Sequence, residues 1–416
     1  MYDIAYSTGH VNIYRTIMCS KGSLIMKKLM SLIVCGLMLM TSLAGCNSAG
    51  GGTGSSSSSG DVIKIGVFEP LTGANAAGGE LEVEGMKIAN KLYPEVLGKK
   101  VELVIADNKS DKAEATTAAA RLIEKDKVSA IIGSWGSSFS IAAGNIVKSN
   151  QVPAVGASCT NPLVTKDNPY YFRVCFLDPF QGTVMANYCY QQGYRKAAII
   201  QEVSNDYAVG LAKFFVDAFT QLTGDPNCII TTGNYNTNDQ DFSGILTNIK
   251  EANPDVVFAP GNFTESALII KQARNLGMTI PFVGGDTWET NEFIEVGGKE
   301  VEGVVLSTFF DDTAPATDEA KKFVEAYKAE YPDRESVPAV SALGYDAYIL
   351  ILDAIERAGS SDPKAIRDEL AKTANFEGVT GMITINEEGD ADKNMAIIKK
   401  VENGKFVYSD TVVIKE

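Results

Sequence analysis

The chain has 416 residues, 45% of them hydrophobic, and carries 37 basic against 52 acidic residues for a net charge of −15. A surface this acidic repels nucleic acid and anionic lipid, which excludes both as natural partners. The only histidine, His10, stands ahead of an export signal, so the mature chain has no Ser-His-Asp or Cys-His nucleophile, no HExxH zinc site and few routes to a general base at neutral pH.

In chain order, Met26-Lys27-Lys28 precedes an apolar run at 29–40, too short to span a hydrocarbon layer of ~30 Å. Leu43-Ala44-Gly45-Cys46 follows and reads as a bacterial lipobox,. Cys46 is therefore expected to become a lipid-bearing mature N-terminus at the outer face of the cytoplasmic membrane, its lipid being the only link to the membrane. Residues 1–25 fit no part of such a signal, and Met26 is the expected initiator. Without residues 1–45, 33 basic and 51 acidic residues remain, a net charge of −18. Residues 46–60, with Gly51-Gly52 and serines at 55–59, read as a flexible tether reaching ~20 Å.

The remainder, 61–416, exceeds what one hydrophobic core usually holds and predicts two domains. Buried strands are expected at 62–68, 101–106, 128–132 and 152–155, with helices at 80–92, 113–125 and 138–149 between them. A second series follows, with strands at 197–200, 228–231, 256–259 and 281–283 and helices at 208–222, 242–252 and 266–276. Leu177-Asp178-Pro179 is a natural crossing between the two, because proline stops a strand and starts a helix. After a strand at 303–308 come helices at 318–331 and 341–358, then strands at 382–385, 395–401 and 405–414. The fold class is α/β: two doubly wound parallel-sheet domains joined by a three-strand hinge. Domain 1 is expected at 61–180 and 308–378 and domain 2 at 181–307 and 379–416, with crossings near Asp178, Thr308 and Val379. Cys159, Cys175, Cys189 and Cys228 lie in this region without CxxC spacing, so neither a metal cluster, another cofactor nor a disulfide framework is expected.

Ligands bind open α/β sheets at the carboxyl ends of the strands, where helix N-termini present free N–H groups. Gly133-Ser134-Trp135-Gly136-Ser137-Ser138 follows the third strand and Gly156-Ala157-Ser158-Cys159-Thr160-Asn161-Pro162 the fourth, together a neutral, hydroxyl-rich cradle for a carboxylate. In the second series Tyr207, Phe263 and Gly284-Gly285-Asp286-Thr287-Trp288 follow strand ends, adding one negative charge and aromatic walls. Singly, the serines are helix caps and Asp286 is a solvated turn residue. Their recurrence at carboxyl strand ends in both halves points instead to a zwitterionic amino acid. Gly156-Ala157-Ser158-Cys159-Thr160 comes near a nucleophile elbow but lacks its second glycine and a histidine, so no enzyme is expected.

At these residues the chain resembles the leucine/isoleucine/valine-binding proteins, receptors of amino-acid ABC importers with the type I periplasmic-binding fold. The likeness runs from about Asp61 to the C-terminus and rests on Leu71-Thr72-Gly73, the serines after Gly136, Ser158-Cys159-Thr160-Asn161-Pro162, and the order Tyr207, Phe263, Asp286. It implies that Ser137, Ser158 and Thr160 hold the α-carboxylate and part of the ammonium, that Asp286 takes the ammonium charge, and that Tyr207 closes from the second domain. Trp135, Ser138, Cys159 and Phe263 complete the expected ligand set. It further implies a monomer that captures a branched-chain or small neutral amino acid by hinge closure and delivers it to a permease with ATPase subunits. A sensor feeding a chemoreceptor or kinase, or a receptor for another small amide or organic solute, is the alternative. The chain departs from the family at Ala74-Asn75-Ala76-Ala77-Gly78-Gly79, where members often carry an aromatic residue; Trp135 is expected to fill that space. The disulfide found near the serine loop in some members is also missing.

Overall fold

A computed structural model describes residues 62–414; the expected signal sequence, lipid-bearing Cys46 and tether lie outside the described residues. The first lobe is built from β1 (Ile63–Glu69), α1 (Ala76–Leu92), β2 (Glu95–Val96), β3 (Lys99–Asp107), α2 (Lys112–Ala120), β4 (Ala130–Ile132), α3 (Ser137–Asn150), β5 (Ala154–Gly156) and β6 (Tyr171–Arg173). Its sheet runs β2-β3-β1-β4-β5-β6, parallel except for the short edge strand β2. Strand periodicity divides the core. Ile63, Ile65 and Val67 of β1 face α1, while Phe68 joins Ala118, Leu122, Phe139 and Val147 on the α2 and α3 side.

The second lobe takes α4 (Asp178–Gln191), β7 (Ala197–Glu202), α5 (Asp206–Thr223), β8 (Ile229–Tyr235), α6 (Ser243–Ala252), β9 (Val256–Phe258), α7 (Phe263–Asn275), β10 (Phe282–Gly284), α8 (Asn291–Gly297) and β11 (Val305–Thr308). The chain then returns to the first lobe with α9 (Asp318–Glu330), α10 (Ala339–Ala358), α11 (Pro363–Leu370) and the hairpin β12 (Phe376–Gly378) and β13 (Gly381–Ile383), where α10 packs along α1. Finally β14 (Met395–Glu402) and β15 (Lys405–Val413) complete a second sheet ordered β15-β14-β11-β10-β9-β7-β8. The last two strands are antiparallel additions to a parallel sheet.

Local chemistry fixes the boundaries. Asp178-Pro179 opens α4 with proline in its first turn, and Asn205 caps α5 by accepting Tyr207 N–H, each meeting an orphan group at a helix start. The first and second passages between lobes run side by side, with the Phe176 and Phe309 rings 4.3 Å apart. The third departs from expectation. Val379 N–H and Thr380 N–H both donate to the Asp346 carboxylate on α10, and Asp390 pairs with Arg173 of β6. These bonds keep 379–391 with the first lobe, so the passage to β14 comes near Asn394 instead of Val379.

Candidate functional site

The loops after β4, β5, β7, β9 and β10 converge on one small cleft lined by Trp135, Gly136, Ser137, Ser158, Asn205, Tyr207, Asn262, Asp286 and Thr287. Five of these were expected as ligand contacts: Trp135, Ser137, Ser158, Tyr207 and Asp286. On the first-lobe side, α3 starts at Ser137 behind Gly136, whose φ of 87° suits glycine, and no side chain caps it,. Ser137 Oγ accepts Asn161 N–H at 3.1 Å, so its own hydrogen is available to an acceptor in the cleft, as are the first N–H groups of α3. Ser158 Oγ donates to the Glu82 carboxylate behind it.

Trp135 forms an apolar wall. A Cβ on Gly78 would lie 2.2 Å from Trp135 Cε2, so the indole does occupy the place an α1 side chain would take. Its N–H backbone group donates to Glu69 Oε2 at 2.6 Å, and its ring meets Phe263 edge-on with centroids 6.0 Å apart. Phe263 is thus part of the wall from the second lobe, behind the residues that line the cleft.

Across the cleft, Asp286 is 3% exposed and accepts from Gln181 Nε2 at 2.8 Å and Tyr207 OH at 3.0 Å, both on Oδ1. Burial pushes its pKa up to about 6, against the pull of those two donors,. Asp178, at the first passage between lobes, is pushed up to about 8 by burial, against the pull of the neighbouring Thr160 hydroxyl. Thr160 Oγ1 is buried beside that carboxyl, whose pKa its hydroxyl pulls down, and is not among the lining residues.

Three expectations are corrected. Cys159 points out of the cleft into the core of the first lobe, its Sγ against Gly156, while Ser158 takes the cleft side. Ser138 is committed to Asp206 at the start of α5: it donates to Oδ2 at 2.7 Å and accepts the Asp206 N–H at 2.9 Å. Trp288, read as a cleft wall, is buried in the second lobe, stacked on Phe293. Lys112 Nζ and Asn161 Nδ2 join Ser138 in reaching Asp206, at 2.8 Å each, to its carboxylate and its backbone carbonyl. Asn205, Asn262 and Thr287 line the cleft without having been singled out, although each follows a strand end, the signal that marked the others.

A profile of the family described as periplasmic binding protein matches residues 62–405. The chain belongs to that family. Among curated relatives, Leu/Ile/Val-binding protein homolog 2 of Brucella abortus is 29% identical over 360 residues, covering 83% of this chain and 93% of that protein. Among solved structures, a leucine binding protein, LivK, of Thermotoga maritima is 43% identical with a TM-score of 0.80, covering 84% of this chain and 99% of that one. LivJ of Streptococcus pneumoniae, a branched-chain amino acid transporter substrate binding protein solved with isoleucine, is 32% identical with a TM-score of 0.78, covering 86% and 100%. As a periplasmic binding protein the chain has the expected fold class, two parallel-sheet domains. Among the described residues no helix is long and apolar enough to cross a membrane.

Proposed function

We propose that this periplasmic binding protein is the extracytoplasmic substrate-binding component of an ABC importer, and that it captures a neutral aliphatic L-amino acid between its lobes. The observation that carries the reading is the opposition of charges across one cleft. Asp286, held by Gln181 and Tyr207, faces the uncapped start of α3 with Ser137. An α-ammonium fits the first and an α-carboxylate the second. Trp135 backed by Phe263 gives an apolar wall for the side chain, and the relatives named for leucine, isoleucine and valine support the same class. Cys46 is the proposed lipid anchor, and a permease with ATPase subunits the proposed acceptor of the cargo.

A thermal-shift screen against all amino acids tests this. A true ligand stabilises by RT ln(1 + [L]/Kd), ~4 kcal/mol at a thousandfold excess. Leucine, isoleucine, valine or a small neutral amino acid is expected to raise the melting temperature. Silence from every amino acid, with a response to a sugar or nucleoside, overturns the reading.

A further inference from the structure

Behind the first-lobe wall of the cleft stand two carboxyl groups, Glu69 at the end of β1 and Glu82 on α1, both fully buried. They neighbour one another and, among the described residues, neither is in an ion pair. Glu69 Oε2 accepts Trp135 N–H and Ser134 Oγ–H, and Glu82 Oε1 accepts Ser158 Oγ–H. The other oxygens, Glu69 Oε1 and Glu82 Oε2, are buried with no donor from another side chain among the described residues, and the two carboxyl groups lie within hydrogen-bonding reach of each other. Two buried anions side by side are costly, and a proton held by the pair removes one charge and supplies a donor.

The cleft-facing consequence lies in Ser158. A hydroxyl has one hydrogen. With that hydrogen on an ionised Glu82, Ser158 Oγ shows the cleft only lone pairs, which suit an ammonium and not a carboxylate. A protonated Glu82 reverses the bond and frees the hydrogen for the cleft. Resting on the amino-acid reading above, we propose that Glu69 and Glu82 are positioning residues that hold Ser158 as an acceptor for the ligand's ammonium, with Glu69 carrying the pair's proton and Glu82 ionised in the binding-competent state. The electrostatics agree: burial and the neighbouring Glu82 push Glu69 well above the carboxylate range, whereas Glu82 reaches about 7. Besides each other, the titratable groups that face the pair are Cys159, Tyr171 and, across the cleft, Asp286.

Calorimetric titration with the best amino acid from the screen, between pH 6.5 and 8.5, tests this. Wild type is expected to tighten roughly tenfold as Glu82 loses its proton, the size of one charge-dependent hydrogen bond. Asp178 and the upper part of the Asp286 titration fall in the same window but are common to all variants, so the comparison between proteins isolates Glu82. Ser158→Ala and Glu82→Gln are each expected to flatten the profile, and the double variant to add nothing to Ser158→Ala, as for groups acting through one bond. A Ser158→Ala protein that keeps the wild-type rise, or a flat wild type, overturns the proposal. Should Glu82→Gln fail to fold, wild type against Ser158→Ala decides alone. A wild type that binds no amino acid at any pH overturns the amino-acid reading itself, and this proposal with it.

Discussion

With Gln181 and Tyr207 both donating to Oδ1, the Asp286 carboxylate is oriented before a ligand arrives, which lowers the ordering cost of binding. Asp286→Ala leaves a ligand ammonium unpaired in a buried site and is expected to cost ~2–5 kcal/mol. Asp286→Asn keeps the shape but not the charge and is expected to be nearly as damaging, while Ser137→Ala removes one hydrogen bond to a charged group, ~1.5–3 kcal/mol. Calorimetric titration of the three variants is the measurement; an Asp286→Ala protein within threefold of wild type means that the ammonium goes elsewhere. Ser137, Ser158, Tyr207 and Asp286 were legible in the sequence because a strand end followed by a hydroxyl, a phenol or an acid is a local pattern. Asn205 and Asn262 stand at equivalent positions and escaped because asparagine there reads as a cap, which Asn205 also is. That Glu69 and Glu82 meet was hidden for another reason. Their meeting depends on how α1 lies on the sheet, and no spacing in the chain records that.

Helix α1 lies against α10 through glycine. A Cβ on Gly344 would sit 2.3 Å from Glu82 O, and one on Gly85 would sit 1.8 Å from Ser341 O, so the two backbones touch where Glu82 is placed. Gly344→Ala must therefore part the helices; overpacking of this kind costs typically ~1–3 kcal/mol, and a lower denaturation midpoint together with weaker ligand binding is the expected result. A second element-level tie joins β14 to the loops after β10 and β11. Lys399 Nζ, 1% exposed at its side chain, reaches Glu289 at 2.6 Å and Asp311 at 3.4 Å. Lys399→Met strands Glu289 in the interior and is expected to destabilise by ~3–5 kcal/mol in a denaturant titration; a loss below ~1 kcal/mol counts against a buried, unscreened pair. The long β-branched runs and amphipathic helices of both lobes were legible from periodicity alone. Strand β6 was not, because Tyr171-Phe172-Arg173 is short and ends in a cation. Arg173 is tolerated there only because Asp390, Thr165 and the carbonyls of Cys159 and Asn161 surround it.

Between the lobes, Lys112, Ser138 and Asn161 on one side all reach Asp206 on the other, so one residue carries much of the polar contact that closure makes. Asp206→Ala is expected to weaken ligand binding by ~1–2 kcal/mol, chiefly by faster release, since it removes the Ser138 hydrogen bond to the carboxylate and one exposed ion pair while the backbone bonds to Asn161 and Ser138 remain,. Small-angle scattering of wild type is expected to show a smaller radius of gyration with ligand, and an unchanged profile at saturation counts against hinge closure. The buried acids also set a pH dependence. Asp286, Glu82 and Asp178 have native pKa values of about 6, 7 and 8, above unfolded values of about 4. Each therefore binds its proton more tightly when folded, and its contribution is fully present below about pH 4 and lost as pH rises to about 8. Calorimetry of the ligand-free protein is expected to show a melting temperature that falls from pH 5 to pH 8. The order in which the chain visits its two lobes has a further result during synthesis. The first lobe waits for α9, α10 and α11, and the second sheet waits for β14 and β15, the last strands to be made. Neither half can close its core until nearly the whole polypeptide has emerged, and pairings this distant along the chain form slowly. A slow folder of this kind stays threadable for longer, which suits the export that the leader in the sequence predicts.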